Sequence, residues 1–350
     1  MSDTMKAWLI KEAGKLEMER IPIPHVKDPD DVLLKVKYVG ICGSDVKIVE
    51  GKHHFKPNTV IGHEFCGEVI GTGTHVHHLK IGDRVAVDNN IRCGQCEYCR
   101  RGLTSQCVDI KTSALGVMRN GGYAEFCLVP EKQCFALPDE IDDVLGTQVE
   151  TLATVMNGMN TLQMMPYEYV MIIGFGPIGY LFAQFAKNIA AKVVVTEIDP
   201  FRISVAKKCG LTVWNPREVD VVEKITEFTH GYKADIVIEA TGNDLETALK
   251  CVTPGGKVLP FGMDSSVTTT VIPNEITRWA TKILGLYLGQ NTMVPSIRVY
   301  QEKRLNMDPF FTKVIPMDDC LSAFDMLGLD IKTMEHHDKS AMKIVMKVQA

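Results

Sequence analysis

The chain has no long run of charges of one sign, and its 38 Lys and Arg residues against 43 Asp and Glu residues leave a net charge of −5. A nucleic acid or an anionic membrane as the main partner would require a basic surface. This balance argues against both partners and favours a small molecule.

The sequence also lacks a convincing membrane segment. One uncharged stretch, residues 169–186, reads YVMIIGFGPIGYLFAQFA, but three glycines and a proline interrupt its middle. A strand, a turn and a helix explain it better than a membrane span. The first residues, MSDTMKAWLIKEAGK, contain only a short apolar patch, so no secretory signal is predicted. We therefore expect a cytoplasmic protein.

Disulfide bonds are not expected either. The number of cysteines, 11, is odd, and a reducing cytosol keeps thiols free. Internal repeats and low-complexity segments are also lacking. At 350 residues the chain is longer than one hydrophobic core usually supports, which predicts two domains.

The two halves of the chain differ in their hydrophobic patterning. Short apolar runs such as DVLLKVKYVG, CGEVIGTG, DRVAVD and CFALP precede residue 150 and predict an all-β, barrel-like catalytic domain. From VMIIGFG onward, strand and helix patterns alternate, which predicts a doubly wound parallel sheet. The last apolar segment, SAMKIVMKV, is predicted to be a strand that rejoins the first domain. The predicted fold class is therefore α/β, with residues 1–155 and 294–350 in one domain and 156–293 in the other.

A dinucleotide site is predicted in the second domain. Gly174, Gly176 and Gly179 have G-x-G-x-x-G spacing between an apolar strand and a helical pattern, so a pyrophosphate can approach the backbone at the helix N-terminus. Glu197 lies eighteen residues past the last glycine, where an acid binds ribose hydroxyls and repels a 2′-phosphate. NAD is therefore favoured over NADP. Asp199 is expected to be a solvated turn residue.

Four cysteines with the spacing C-x2-C-x2-C-x7-C predict a zinc site. Four thiolates would close the tetrahedral shell of zinc, so this site is expected to be structural rather than catalytic. The four cysteines are Cys93, Cys96, Cys99 and Cys107. Three nearby arginines could partly offset the thiolate charge or could simply be solvated loop residues: Arg92, Arg100 and Arg101.

Catalysis is therefore sought in two other fragments. GICGSD contains Cys42, Ser44 and Asp45, and GHEFCGEVIGTGTHV contains His63 and Glu64. Together they provide a thiolate, an imidazole and a carboxylate. Three protein ligands with one position left open are typical of catalytic zinc.

With these motifs in order, the sequence resembles the zinc-dependent medium-chain dehydrogenase/reductase family along nearly its whole length. GHEFCGEVIGTGTHV matches the family pattern G-H-E-x2-G-x5-G-x2-V through Gly62, His63, Glu64, Gly67, Gly73 and Val76. The resemblance implies a GroES-like β-barrel catalytic domain and a Rossmann domain. Within the family, GICGSDV, VIGHEFCG, GGYAEFCLVP and VVVTEID are most similar to the polyol branch, which includes sorbitol and galactitol phosphate dehydrogenases.

The resemblance assigns roles to individual residues. It implies that Cys42 and His63 bind catalytic zinc, with Asp45 behind the His63 ring and Ser44 as first proton acceptor. The third zinc ligand remains open between Glu64 and Glu150, since the polyol branch has E-P-L where this chain has E-T-L. The implied NAD contacts are Gly174, Gly176, Pro177, Ile178, Gly179, Glu197, Arg202 and Thr241.

The onward proton relay differs from the family pattern. Many relatives have a histidine five residues after the zinc cysteine, where this chain has Lys47. His53 or His54 is an alternative carrier, although both are also ordinary loop residues. The basic loop that contains Lys47, Lys52, His53, His54 and Lys56 could suit a phosphorylated substrate, or could simply be solvated.

The resemblance therefore predicts an NAD-dependent zinc enzyme that oxidises a secondary alcohol of a polyol, sugar alcohol or cyclitol to a ketone. The expected assembly is a homodimer or homotetramer. The alternative activity is that of an L-threonine 3-dehydrogenase, whose relatives share CGSD and GHEF. An alternative of another class is a zinc- or nucleotide-binding sensor without turnover.

Overall fold

The computed structural model describes residues 3–349, which divide into two compact units. The first unit comprises the chain through Thr154, Gly289–Arg304 and the segment from Phe311 onward, and the second comprises Val155–Leu288 and Leu305–Phe310. The predicted boundaries are 155/156 and 293/294. In the structure, Val155 and residues 305–310 belong to the second unit, and residues 289–293 belong to the first.

The strands are numbered in chain order. They are β1 Thr4–Glu12, β2 Lys15–Pro22, β3 Asp31–Gly40, β4 Thr59–Val60, β5 Glu64–Thr72, β6 Arg84–Val87, β7 Phe126–Pro130, β8 Cys134–Ala136, β9 Tyr169–Ile173, β10 Lys192–Thr196, β11 Thr212–Trp214, β12 Ala234–Glu239, β13 Val252–Pro260, β14 Lys282–Ile283, β15 Phe311–Pro316, β16 Leu329–Asp330, β17 Glu335–His336 and β18 Lys343–Lys347.

The helices are numbered in the same way. They are α1 Gly43–Val49, α2 Glu97–Arg100, α3 Ile110–Ser113, α4 Asp143–Gly146, α5 Val149–Leu162, α6 Pro177–Ile189, α7 Pro200–Lys208, α8 Val221–Phe228, α9 Leu245–Cys251, α10 Pro273–Trp279, α11 Met293–Gln301 and α12 Cys320–Met326. Within residues 3–349, no helix is long and apolar enough to cross a membrane.

The first unit is built mainly from antiparallel strands. Its largest sheet has the order β15-β18-β3-β5-β6-β8, with β7 also paired to β3. Side chains of β3 such as Val32, Leu34 and Val36 are fully buried in the core of this unit. The final strand, β18, pairs antiparallel with β3, so the predicted return of the chain to this unit is confirmed.

The second unit contains one parallel sheet of six strands in the order β11-β10-β9-β12-β13-β14. Renumbered from β9, this is the order 3-2-1-4-5-6 of a doubly wound dinucleotide-binding sheet. The central strand β9 is almost entirely apolar and buried, as expected for a parallel strand covered on both faces. The predicted fold class is therefore confirmed, and residues 169–186 form β9, a turn and the start of α6.

Candidate functional site

The four-cysteine lobe, residues 93–107, brings its sulfur atoms together. All four Sγ atoms lie within 4.8 Å of one another, and those of Cys93 and Cys107 are 3.5 Å apart. Zinc in a tetrahedron of Zn–S bonds of about 2.3 Å requires sulfur atoms about 3.8 Å apart. The arrangement therefore fits one zinc ion with a closed shell.

Backbone N–H groups stabilise negative charge on these sulfur atoms. The N–H of Cys93 donates to Cys107 Sγ at 3.2 Å, and the N–H of Cys96 donates to Cys93 Sγ at 3.3 Å. Hydrogen bonds from the N–H groups of Cys99 and Val108 lower the pKa of the Cys96 thiol to about 6. The lobe thus favours the thiolate form that zinc requires.

Arg92, next to the lobe, is not the solvated residue that the sequence suggested. Its Nη1 pairs with the Asp88 carboxylate, and its Nη2 donates to the Gly289 carbonyl at 2.9 Å. The side chain is only 15% exposed because these partners surround it. Arg100 and Arg101 are exposed, as expected.

The second donor set forms where two paired strands meet α1. Gly40, at the end of β3, pairs with Glu64, at the start of β5. This register brings the residues that follow β3 next to those that precede β5. As a result, Cys42 Sγ, a ring nitrogen of His63 and a carboxylate oxygen of Glu64 lie within 4.8 Å of one another. Sulfur, imidazole nitrogen and carboxylate oxygen are all ligands that zinc accepts.

A buried aspartate faces the imidazole ring of His63. Asp45 Oδ1 lies 3.4 Å from His63 Nδ1, while Asp45 Oδ2 accepts from the Cys42 N–H at 2.9 Å and the Tyr123 hydroxyl at 3.1 Å. The other ring nitrogen, Nε2, is 3.2 Å from Ser44 Oγ. Burial alone would lower the pKa of His63, but the charges of Asp45 and Cys42 outweigh it and raise the pKa.

The Glu64 carboxylate is held by three side chains that no local sequence pattern connects to it. Lys343 Nζ donates to its two oxygens at 2.8 and 2.6 Å, Thr151 Oγ1 at 2.8 Å and Gln148 Nε2 at 3.2 Å. Burial would raise the pKa of Glu64, but the charges of Lys343 and His63, together with the hydrogen bonds from Lys343 and Thr151, outweigh burial and lower it to about 2. Glu64 is therefore a fixed carboxylate. The only sequence signal for Lys343 was a lysine inside the apolar run SAMKIVM.

Glu150, the other candidate for third ligand, has a different environment. It lies in the first turn of α5 and is 8% exposed. Among residues 3–349, no side chain or backbone group donates a hydrogen bond to its carboxylate. Burial therefore raises its pKa to about 7. The two glutamates are thus distinguishable, since Glu64 is grouped with Cys42 and His63 and Glu150 lines a small cavity.

The glycine loop of the second unit has the close packing that a pyrophosphate site needs. Gly174 directly follows β9 with φ of +88°, a conformation that favours glycine. A Cβ atom on Gly179 would lie 2.0 Å from the Gly174 carbonyl oxygen, so no larger residue fits. Gly176 precedes α6, with Pro177 at its first position and Ile178 in its first turn. The free N–H groups of this helix end are available to a phosphate.

Glu197 holds this loop in place. Its carboxylate accepts hydrogen bonds from the N–H groups of Phe175 at 2.9 Å, Ile198 at 2.7 Å and Asp199 at 3.0 Å. The expectation that Asp199 is a solvated turn residue is wrong, because Asp199 is buried and caps α7 by accepting from the Arg202 N–H at 3.0 Å.

Arg202 and Thr241 lie on the glycine loop. The Arg202 Nη1 atom would be 3.3 Å from a Cβ on Gly176, and Thr241 Cγ2 would be 2.5 Å from a Cβ on Gly174. Burial lowers the pKa of Arg202, and its Nε atom is buried with no hydrogen-bond partner in the described part of the chain. A buried guanidinium nitrogen without a partner beside the glycine loop could donate a hydrogen bond to an anionic nucleotide.

The loop after α1 fixes the tautomer of one histidine ring, that of His53. His53 Nδ1 is 2.8 Å from the His54 carbonyl oxygen, which can only accept. The backbone N–H of His53 donates to the Lys47 carbonyl at 3.1 Å. Burial lowers the pKa of His53. The neutral ring therefore carries its proton on Nδ1 and presents Nε2 as an acceptor.

Comparison with known proteins agrees with this geometry. Residues 28–139 match the model of the alcohol dehydrogenase GroES-like domain, and residues 177–302 match that of the zinc-binding dehydrogenases. A Bacillus subtilis sorbitol dehydrogenase is 32% identical over 82% of this chain and 83% of its own length. An L-threonine 3-dehydrogenase of Pyrococcus horikoshii is 34% identical over 93% of this chain and 96% of its own.

Solved structures similar to this chain are also dehydrogenases. A zinc-binding dehydrogenase from Sinorhizobium meliloti bound to NADP superposes with a TM-score of 0.90 at 27% identity, covering 99% of this chain and 100% of that one. An alcohol dehydrogenase from Escherichia coli CFT073 in complex with NADH has a TM-score of 0.89 at 27% identity, with the same coverage. A nucleotide-binding sheet and two zinc-compatible donor sets are the parts of a zinc alcohol dehydrogenase. The chain belongs to the family of zinc-binding alcohol dehydrogenases.

Proposed function

We propose that the protein is an NAD-dependent dehydrogenase that oxidises a secondary hydroxyl of a polyol, sugar alcohol or cyclitol to a ketone. The observation that carries the proposal is the grouping of Cys42, His63 and Glu64 within 4.8 Å, with Ser44 Oγ 3.2 Å from the imidazole. The similarity to a sorbitol dehydrogenase supports the substrate class.

The residues of the site have separate tasks in this reaction. Cys42, His63 and Glu64 would hold the catalytic zinc, which when bound lowers the pKa of an alcohol as it does that of water. Ser44 takes the hydroxyl proton, and Asp45 keeps His63 Nδ1 turned away from the reacting group. Loss of that proton prepares the carbinol carbon to release hydride to the nicotinamide ring.

NAD is the proposed cofactor because of Glu197. Its carboxylate lies at the end of β10, where it can accept from ribose hydroxyls and repels a 2′-phosphate. The glycine loop would hold the pyrophosphate, with Pro177, Ile178, Arg202 and Thr241 around it. We expect turnover with NAD to exceed turnover with NADP in parallel assays, and a preference for NADP would contradict this assignment.

A substrate panel tests the proposal. The purified protein with NAD would be assayed by NADH absorbance against sorbitol, xylitol, galactitol, inositol, their phosphates and L-threonine. We expect turnover of one or more polyols or polyol phosphates. Turnover of L-threonine alone would establish the rival activity, which the similarity to a threonine dehydrogenase supports. Absence of turnover with zinc and NAD bound would favour a sensor.

His53 is the proposed carrier of the proton beyond Ser44, because Lys47 occupies the usual position of the relay histidine and His53 offers a neutral acceptor. We expect His53→Gln to lower kcat roughly tenfold at pH 7, with a smaller loss at high pH where hydroxide replaces the base. His54→Gln is the matched control, since its carbonyl still accepts from His53 Nδ1. Equal pH–rate profiles for both variants would exclude His53.

A homodimer or homotetramer is also proposed. Helix α10 has no buried residue, and large apolar side chains are exposed at both of its ends, Ile272 and Trp279, and in the edge strand β14, Ile283. Such exposed apolar residues on a sheet edge favour pairing with another chain. Light scattering would measure the assembly, and a monomer at micromolar concentration would contradict it. We further propose a cytoplasmic location, which the lack of disulfide bonds among the eleven cysteines of residues 3–349 supports.

A further inference from the structure

Tyr123 is a fully buried residue that lies beside both members of the His63–Asp45 pair. Its hydroxyl donates to Asp45 Oδ2 at 3.1 Å. Its ring packs against Gly62, the residue before His63, so closely that a Cβ atom on Gly62 would lie 2.0 Å from Tyr123 Cδ1. Through Asp45 and Gly62, Tyr123 therefore contacts the surroundings of a proposed zinc ligand on two sides.

Backbone hydrogen bonds hold Tyr123 in this place. The N–H groups of residues 121–123 donate to the carbonyls of residues 60–62 at 2.8–3.0 Å. The Tyr123 carbonyl in turn accepts from the Trp8 N–H at 2.8 Å. The main chain that leads into His63 and the ring of Tyr123 are therefore packed as one piece.

The Asp45 carboxylate is anchored through one of its two oxygens. Oδ2 accepts from the Cys42 N–H at 2.9 Å and from the Tyr123 hydroxyl at 3.1 Å. Oδ1 has no hydrogen-bond partner within residues 3–349, and the same holds for Nδ1 of His63, 3.4 Å away. That separation is longer than an N–H···O bond of about 2.7–3.2 Å. The two donors on Oδ2, rather than the histidine, therefore fix the position of the carboxylate.

This anchoring decides which oxygen faces the histidine. With Oδ2 occupied, Oδ1 is left for Nδ1 of His63, so the ring proton belongs on Nδ1 and the lone pair of Nε2 is available to a metal. The Cys42 N–H is a backbone group, which any residue there except proline would supply. The Tyr123 hydroxyl is the donor that depends on a side chain. Burial and the charge of Asp45 raise the pKa of Tyr123, so the phenol stays protonated and donates.

We propose that Tyr123 is a positioning residue for the catalytic zinc site: its hydroxyl holds Asp45, and Asp45 holds His63 with Nε2 directed to the metal. The inference rests on the proposed zinc site and extends it one residue further from the metal. A phenylalanine in place of Tyr123 fills the same space against Gly62 but leaves the Asp45 carboxylate with one donor fewer. Loss of an outer partner of a metal-binding histidine usually lowers metal affinity by about tenfold or more.

The test measures zinc affinity of the purified full chain by competition with a chromophoric chelator. The binding step that is missing in Cys42→Ser belongs to the catalytic site. We expect Tyr123→Phe to weaken this step by about tenfold and to leave binding at the four-cysteine lobe unchanged. Tyr180→Phe is the matched control and should change neither step, since Tyr180 is also fully buried and donates its hydroxyl to the Asn306 carbonyl at 2.6 Å.

A second background separates positioning from packing. Asp45→Ala removes the acceptor of the Tyr123 hydroxyl, so adding Tyr123→Phe to it should weaken zinc binding no further. Equal weakening by Tyr123→Phe in both backgrounds would show that the ring acts by packing alone. The proposal is also overturned if Tyr123→Phe and Tyr180→Phe have the same effect. A wild-type chain that binds zinc at the lobe only would refute the catalytic zinc site itself, and the inference with it.

Discussion

Replacement of Lys343 by methionine is expected to destabilise the folded protein by about 3–5 kcal/mol at pH 7, the usual cost of removing one partner of a buried ion pair. Lys343 is 1% exposed, and its ammonium group contacts both carboxylate oxygens of Glu64 and the Ile41 carbonyl. Methionine fills a similar volume but leaves the buried Glu64 carboxylate without its ammonium partner, with only the neutral donors Thr151 and Gln148 in the metal-free protein.

The effect of this substitution depends on pH. The folded-state pKa of Glu64, about 2, lies below its ordinary value of 4.5. The pair therefore contributes fully to stability above about pH 4.5, and the contribution is lost as the pH falls toward 2. In the variant, burial raises the pKa of Glu64, so acid neutralises the charge and relieves the destabilisation. The difference in unfolding free energy between wild type and variant should shrink from pH 7 to pH 4.

Denaturant unfolding at both pH values would measure these free energies. Lys347→Met is the matched control, since Lys347 is on the same strand but exposed, and it should change stability by less than about 0.5 kcal/mol. The double variant Lys343→Met, Glu64→Gln should recover part of the loss because no buried charge remains. Equal stability of the Lys343 and Lys347 variants would show that the pair is not buried as described.

Replacement of Cys96 by serine is expected to remove the structural zinc and destabilise the fold by at least about 5 kcal/mol, since structural zinc supplies much of the folding energy of its lobe. The remaining three thiolates would repel one another in a site shaped for a cation. Within the lobe, Ser105 donates to Gln290. Arg92, directly before the lobe, binds Asp88 and the Gly289 carbonyl. Turnover should therefore fall as a consequence of lost structure.

Thermal unfolding and metal analysis of the Cys96 variant would test whether zinc and stability are lost and turnover falls only as a consequence. Cys134→Ser is a suitable control, because Cys134 lies outside both donor sets. We expect one zinc ion fewer per chain and a lower unfolding temperature for the Cys96 variant only. A Cys96 variant that is stable and assembled but inactive would indicate that the lobe takes part in the reaction itself.

Local patterns predicted most of the fold. The alternation of strands and helices after residue 168 follows from hydrophobic periodicity, and the glycine loop follows from sterics, since a Cβ on Gly179 would overlap the Gly174 carbonyl. The two donor sets were also identifiable, because metal ligands are restricted to few residue types and spacings. The proximity of Cys42 and His63 then follows from the pairing of Gly40, in β3, with Glu64, in β5.

Long-range partners could not be predicted. Lys343 is 279 residues from Glu64, and only the pairing of β18 with β3 brings them together. Arg92 appeared to be a loop residue because nothing local indicates its partner Gly289, which is 197 residues away. Asp199 was misread for another reason: helix capping and solvation both favour an aspartate before a proline.

The central claim is that the reaction takes place at Cys42 and His63 rather than at the four-cysteine lobe. Its most direct test is zinc content and polyol turnover measured on one preparation of Cys42→Ser. We expect one zinc ion per chain against two in wild type, unchanged unfolding of the lobe and a loss of turnover of about a thousandfold or more, because the alcohol is no longer polarised. Full activity in a Cys42→Ser variant that keeps a single zinc ion would contradict the claim.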